Sequence, residues 1–150
     1  MTNKELVLGA MRQYGLQKAT ELQGRAPEMD GTALYEEKDF IPDFQKAKAQ
    51  ANMLTRPAGF VCKSTAGRVV RLIQPYDSEI FTSEPEELPA QYGFVWSDDP
   101  AKALPFVAIS TSPYMKGNCC TENGSTYRSL YDNNVHAPSA WPQGWELVNN

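Results

Sequence analysis

Three cysteines, one histidine and scattered acids are the residues from which this chain could build chemistry. Cys119 and Cys120 are adjacent, Cys62 stands apart, and His136 is the one imidazole. Vicinal cysteines on a strand point to opposite faces, so both cannot ligate one ion unaided. The ligand spacing of a zinc site is absent, and no metal is expected. An odd number of cysteines reads as reduced thiols, with Cys62 and Cys120 as buried, apolar-like residues. A Ser-His-Asp or Cys-His device would have to use His136, and no nucleophile-elbow pattern accompanies it. Paired carboxylates for glycoside hydrolysis could be drawn from Glu84, Glu86 and Glu87, or from Asp98 and Asp99. They read instead as solvated loop and helix-cap acids. No glycine-rich phosphate loop precedes a helix. The chain is expected not to be an enzyme and to need no cofactor.

Binding chemistry is better represented. Sugar recognition sets flat aromatic faces against pyranose C–H groups, with amides and hydroxyls alongside to orient them. Between residues 114 and 148 the available faces are Tyr114, Tyr131, His136 and Trp141. Asp132, Asn133, Asn134 and Gln143 are their polar neighbours. Tyr76 and Phe81 are the corresponding loop aromatics earlier in the chain. Aromatics in or beside polar loops commonly serve binding, whereas Tyr127 and Trp145 lie in strand-like runs and are expected in the core.

The totals narrow the partners. Net charge is −4, with no Lys/Arg cluster beyond Lys46 and Lys48, which argues against a nucleic-acid surface. No apolar run approaches the roughly 20 residues that span a bilayer. The first residues lack the apolar core of a signal peptide, so folding in a cytoplasm is expected.

The elements that must position these residues follow from local pattern. Thr2-Asn3-Lys4-Glu5 fits a capping box, and Leu6, Val7, Ala10, Met11 and Tyr14 continue as a helical stripe. Gly24 is expected to stop this helix. Its apolar face is too short to be stable alone, so it must pack on the chain, on a copy of itself or on a partner. Residues 25–53 read as a connector, extended up to Phe44, with a turn at Met29-Asp30-Gly31-Thr32 and a short helix or irregular segment over 43–53. Residues 54–96 form a first small β module, 97–113 a spacer in which Phe106 to Ile109 is a candidate strand, and 114–150 a second small β module. The fold class is α+β: an N-terminal helical segment (1–24), then two small, mainly antiparallel β modules forming an internal repeat.

The repeat is visible in register. Gly59-Phe60-Val61-Cys62 falls on Gly117-Asn118-Cys119-Cys120. Gly67 to Arg71 falls on Gly124 to Arg128, and Leu88 to Val95 falls without gaps on Trp141 to Val148. Each copy is a hairpin, a polar loop, a Pro-containing turn and an aromatic closing strand. Units this small bury little core alone and are expected to pack together or on the helix.

At these residues a resemblance enters. Tyr114-Met115-Lys116-Gly117-Asn118-Cys119-Cys120, followed by Gly124, Tyr127, Pro138 and Trp145, resembles the chitin-binding type of carbohydrate-binding module, family 5/12. That family runs aromatic-x-x-Gly-Asp-x-Val, then Gly-x-x-Tyr, a Pro-containing loop and a closing Trp. Here Asn118 replaces the Asp and Cys120 the Val; the first copy has Arg56 for the opening aromatic and Val70 for the Tyr. The layout also resembles short proteins of tail operons in phages and prophages of gut Firmicutes. Those pair an N-terminal helix and a Met-Asp-Gly-Thr stretch (Met29 to Thr32) with Asp-Pro-Ala-Lys-Ala (Asp99 to Ala103) and such a C-terminal module. The resemblance implies a virion tail component. Its helix would mediate assembly with itself, as a homotrimer, or with other tail proteins. Its second module would face either the host envelope, with cell-wall glycan as a candidate partner, or another tail protein. A glycan-binding protein and a purely structural baseplate part are the two alternatives.

Overall fold

The structure, a computed structural model, describes residues 2–149. The Met1 and Asn150 ends of the expected first and last segments lie outside the described residues. Helix α1 runs Asn3–Arg25. The expected capping box is present: Thr2 Oγ1 accepts from Glu5 N at 3.1 Å, and Glu5 Oε2 accepts from Thr2 N at 2.8 Å. The helix does not stop at Gly24. Ala26 N still donates to Leu22 O, and the chain runs on into a 3-10 turn, Ala26–Glu28. Pro27 fits early in that turn, where its missing N–H costs nothing.

The connector is helical rather than extended. After the 3-10 turn come α2 (Gly31–Glu36), a second turn (Lys38–Phe40) and α3 (Phe44–Gln50). Met29 to Thr32 is not a free turn but the start of α2, with Asp30 Oδ1 accepting from Ala33 N at 2.8 Å. Gly31 is required by packing: a Cβ there would stand 2.1 Å from the carbonyl oxygen of Trp96. Thr32 Oγ1 accepts from Asp98 N at 2.9 Å. The Met-Asp-Gly-Thr stretch is thus docked against the residues that lead into Asp99 to Ala103.

Two sheets follow. The first is β1 (Val61–Lys63), β2 (Val69–Leu72) and β3 (Tyr92–Phe94), all antiparallel. The second is β4 (Leu104–Pro105), β5 (Cys119–Glu122), β6 (Ser125–Ser129) and β7 (Trp145–Asn149). All its pairs are antiparallel except the two-residue β4, which runs parallel to β5. Phe106 to Ile109, expected as a strand, is not one; the ladder ends where Phe106 N donates to Thr121 O.

The internal repeat holds in strand register, apart from an irregularity at Thr126/Tyr127 in the second copy. Cys62 pairs with Val70 and Val70 with Phe94; Cys120 pairs with Tyr127 and Tyr127 with Leu147. Gly59 N donates to Leu72 O at 2.7 Å, and Gly117 N to Ser129 O at 2.9 Å. Leu72 N reaches Phe60 O, and Ser129 N reaches Asn118 O, each at 2.8 Å. Gly59 and Gly117 hold φ of +94° and +99° at the same place, a conformation that glycine adopts without a Cβ penalty.

One core serves both sheets. Cys62, Val70, Leu72, Tyr92 and Phe94 from the first sheet meet Cys120 and Trp145 from the second. Phe44, Met53, Trp96 and Tyr114 fill the space between. A second cluster joins Leu22 of α1 and Leu34 and Tyr35 of α2 to Val61 and Val69. Gln23 seals the edge of β1 as a strand would, donating to Val61 O at 2.8 Å and accepting from Val61 N at 2.9 Å. Arg71 ties β2 to the helical layer through the carbonyls of Ala26 and Met29.

Candidate functional site

The loop between β6 and β7 begins where Ser129 leaves the sheet. Ser129 Oγ donates to Tyr131 O at 2.7 Å, turning the chain so that the Tyr131 ring faces outward. Asn133 then takes φ of +56°, which asparagine tolerates better than most residues. Asn134 is the residue around which the loop is folded. It is 1% exposed, donates through Nδ2 to Ser129 Oγ (3.0 Å) and Gly144 O (3.3 Å), and accepts His136 N on Oδ1 (3.1 Å). Its backbone bridges Tyr114 in both directions, at 2.9 and 2.8 Å. Asn134 therefore has no polar atom to offer a ligand, contrary to its expected place beside the aromatics.

The loop brings three of the expected aromatics together. Tyr131 stacks on Trp141 with ring centroids 5.3 Å apart and planes 28° from parallel. His136 meets Trp141 edge-on at 5.7 Å. Trp141 lies directly on the backbone of Gly144, where a Cβ would come within 2.2 Å of its ring. Trp141 is thereby half-buried, and Tyr131, at 53% exposure, is the open face of the pair. Gln143, Asp132 and Asn133 are exposed in the same loop and the turn before β7. One Asp132 oxygen already accepts Lys116 N.

Tyr114 is a correction. The sequence places it among the binding faces, but it is 1% exposed, stacked on Trp96 (4.3 Å) and Phe106 (5.3 Å) with Trp145 against its edge. The backbone bridge to Asn134 points its ring between the sheets, and burial pushes its hydroxyl above the ordinary tyrosine range. Tyr76 is a second correction: it is buried, and its hydroxyl shares a 2.8 Å hydrogen bond with that of Tyr92. Phe81 is exposed, as a loop aromatic should be. Trp145 is buried with Nε1 donating to His136 O at 2.8 Å, and Tyr127 packs against the core from a half-buried position.

The departures from the carbohydrate-binding-module pattern have local causes. Asn118 Nδ2 donates to Asp98 Oδ1 at 2.8 Å while its Oδ1 accepts Met115 N. An aspartate there would set two carboxylates against each other. Cys120 fills an apolar core position at 0% exposure. Burial pushes the thiols of Cys62 and Cys120 up to about 12, and that of Cys119 upward too. These are not nucleophilic thiolates.

Glu84, Glu86 and Asp99 hold structural partners, although Glu86 Oε1 is buried without one among the described residues. Glu84 accepts from Gln45, Thr65 N and Thr65 Oγ1; Glu86 holds Arg68 and Ser64; Asp99 caps Ala101 N. Among the described residues no group of three or more His, Cys, Asp or Glu side chains is placed to hold a metal ion. Likewise no helix among them is long and apolar enough to cross a membrane. A cleft of about 600 Å³ lies away from the aromatics, lined by Lys38, Lys46, Lys63 and Lys102 with Asp39 and Asp43. Two of its four lysines, Lys46 and Lys63, are paired with Asp43. It lacks an exposed aromatic stack like that of Tyr131 on Trp141. Comparison with protein-family models, with curated proteins and with solved structures returned no match to this chain. The functional reading therefore rests on geometry and on the sequence resemblance.

Proposed function

We propose that the chain is a non-enzymatic component of a phage or prophage tail, acting in tail assembly and in attachment to the host surface. The second β module is the binding part, and cell-wall glycan is its ligand. The observation that carries this reading is the Tyr131–Trp141 stack: an exposed ring backed by a half-buried one, on a loop fixed by Asn134. Such a face meets the C–H side of a pyranose at little ordering cost, because the rings are already held. Asn133, Gln143 and the imidazole of His136 supply polar groups at its margin. The place in a virion is supported by the layout resemblance alone.

Sedimentation with insoluble peptidoglycan and with chitin tests the ligand. The intact chain is expected to co-sediment, and Tyr131→Ala to lose most of that binding while keeping the native melting temperature. An intact chain that binds neither polymer overturns the glycan reading. Mass spectrometry of purified particles tests the virion assignment, which fails if the chain is absent from them.

A further inference from the structure

Helix α1 carries a seam that the chain itself covers only in part, at Tyr14 and at half-buried Lys18. Lys4, Val7, Met11, Tyr14, Lys18 and Glu21 recur at alternating spacings of three and four, the a and d positions of a heptad pattern. Val7, Met11 and Tyr14 are 58%, 64% and 57% exposed. The body of the protein holds the C-terminal half of α1, through Leu22, Gln23, half-buried Gly15 and Ala19, and an edge contact between Tyr14 and Phe40. Among the described residues it leaves the N-terminal half free. Leu6 and Leu16 lie off this seam.

The charges decide what covers it. In a parallel, in-register assembly of copies, Lys4 meets Lys4, Lys18 meets Lys18 and Glu21 meets Glu21. Every charged layer is then a like-charge contact. In an antiparallel pair, a positions face d positions, and residue i lies opposite residue 25 minus i. Lys4 then faces Glu21, Val7 lies under the alkyl stem of Lys18, and Met11 packs on Tyr14, each twice by symmetry. Glu21 Oε1 already takes Arg25 Nε at 3.1 Å, and its other oxygen has no partner among the described residues. It can receive the ammonium of Lys4.

We propose that two copies of this chain associate through α1 in antiparallel, two-fold fashion, with Met11 and Tyr14 at the centre and Lys4–Glu21 pairs at both ends. The inference rests on the assembly role given to α1 above, and it replaces the expected homotrimer by a dimer. A C2 contact of this kind is self-complementary and closes. With three apolar residues per copy it is a weak interface, dependent on protein concentration.

Cross-linking reads the register directly, since all three native thiols are buried. The Lys4→Cys/Glu21→Cys double variant of the full chain is expected to form a disulfide-linked dimer under mild oxidation. Each single variant is expected to stay uncross-linked. Within one helix these positions are about 25 Å apart, so an intrachain bond cannot mimic the result. Light scattering should show a dimer whose dissociation constant rises at least tenfold in Met11→Lys, with an unchanged circular dichroism spectrum. Cross-linking of Lys4→Cys alone would overturn the antiparallel pairing and leave assembly through α1 standing. A monomer at every concentration would remove both.

Discussion

Replacing Asn134 by alanine should destabilise the protein well beyond what a polar loop residue ordinarily costs. The side chain makes three hydrogen bonds from a site that is 1% exposed. Their loss is not uniform. Gly144 O keeps Leu130 N, and Ser129 Oγ still donates to Tyr131 O, so both stay satisfied. Only His136 N loses its one partner. Three bonds at about 1 kcal/mol each give about 3 kcal/mol, with a small added term for the cavity. For a chain of this size that lowers the melting temperature by roughly 9 °C. The assay is thermal unfolding followed by tryptophan fluorescence, because Trp141 and Trp145 both lean on the segment Asn134 holds. Asn133→Gly is the control: its side chain is exposed and its φ positive, so stability should hold or rise slightly. An Asn134→Ala protein that loses less than about 1 kcal/mol would refute the argument that this side chain organises the loop.

Gly144→Ala should lift Trp141 off the backbone, costing about 1–3 kcal/mol by overpacking, and impair polymer co-sedimentation more than it impairs folding. Tyr114→Ala and Tyr131→Ala should separate core from surface. The first is expected to cost about 3–5 kcal/mol in denaturant titrations, the second to stay within about 0.5 kcal/mol. The thiols of Cys62 and Cys120 titrate near 12 when folded, against an ordinary value of 9.0. A folded pKa raised in this way leaves stability intact below about 9 and erodes it as pH climbs towards 12. Melting curves across that window should show the decline, and a thiol reagent should label the unfolded chain but not the native one.

What could be read from the sequence was local, and what was missed was packing between distant segments. Thr2 and Glu5 satisfy each other three residues apart, so the helix start was visible. The two hairpins were visible too, and the pairing of Cys120 with Tyr127 repeats that of Cys62 with Val70 because the same spacing recurs. Pro27 and Pro42 suggest an extended connector, but Pro27 falls early in a 3-10 turn and Pro42 just before α3, where neither breaks a helix, and Asp30 caps a helix that reads as a loop. Tyr114 misled because its burial is decided by Trp96 and Phe106, which the folded chain brings to it. Within the candidate site, Tyr131, His136 and Trp141 were legible as a group. The role of Asn134 was not, since an asparagine among three polar loop residues carries no mark that it points inward.

The single core beneath both sheets sets how the protein can be cut. Although residues 114–149 look like a portable binding cassette, Tyr114 and Trp145 pack on Trp96 and Phe106, and Trp96 in turn on Phe94. Excised or grafted elsewhere, that segment would expose those rings and lose the surface on which its loop is set. Heat or denaturant should melt both copies in one transition. For engineering, the exchangeable unit is the whole two-sheet body with its helical layer, and the repeat is a way of building one domain from a pattern used twice.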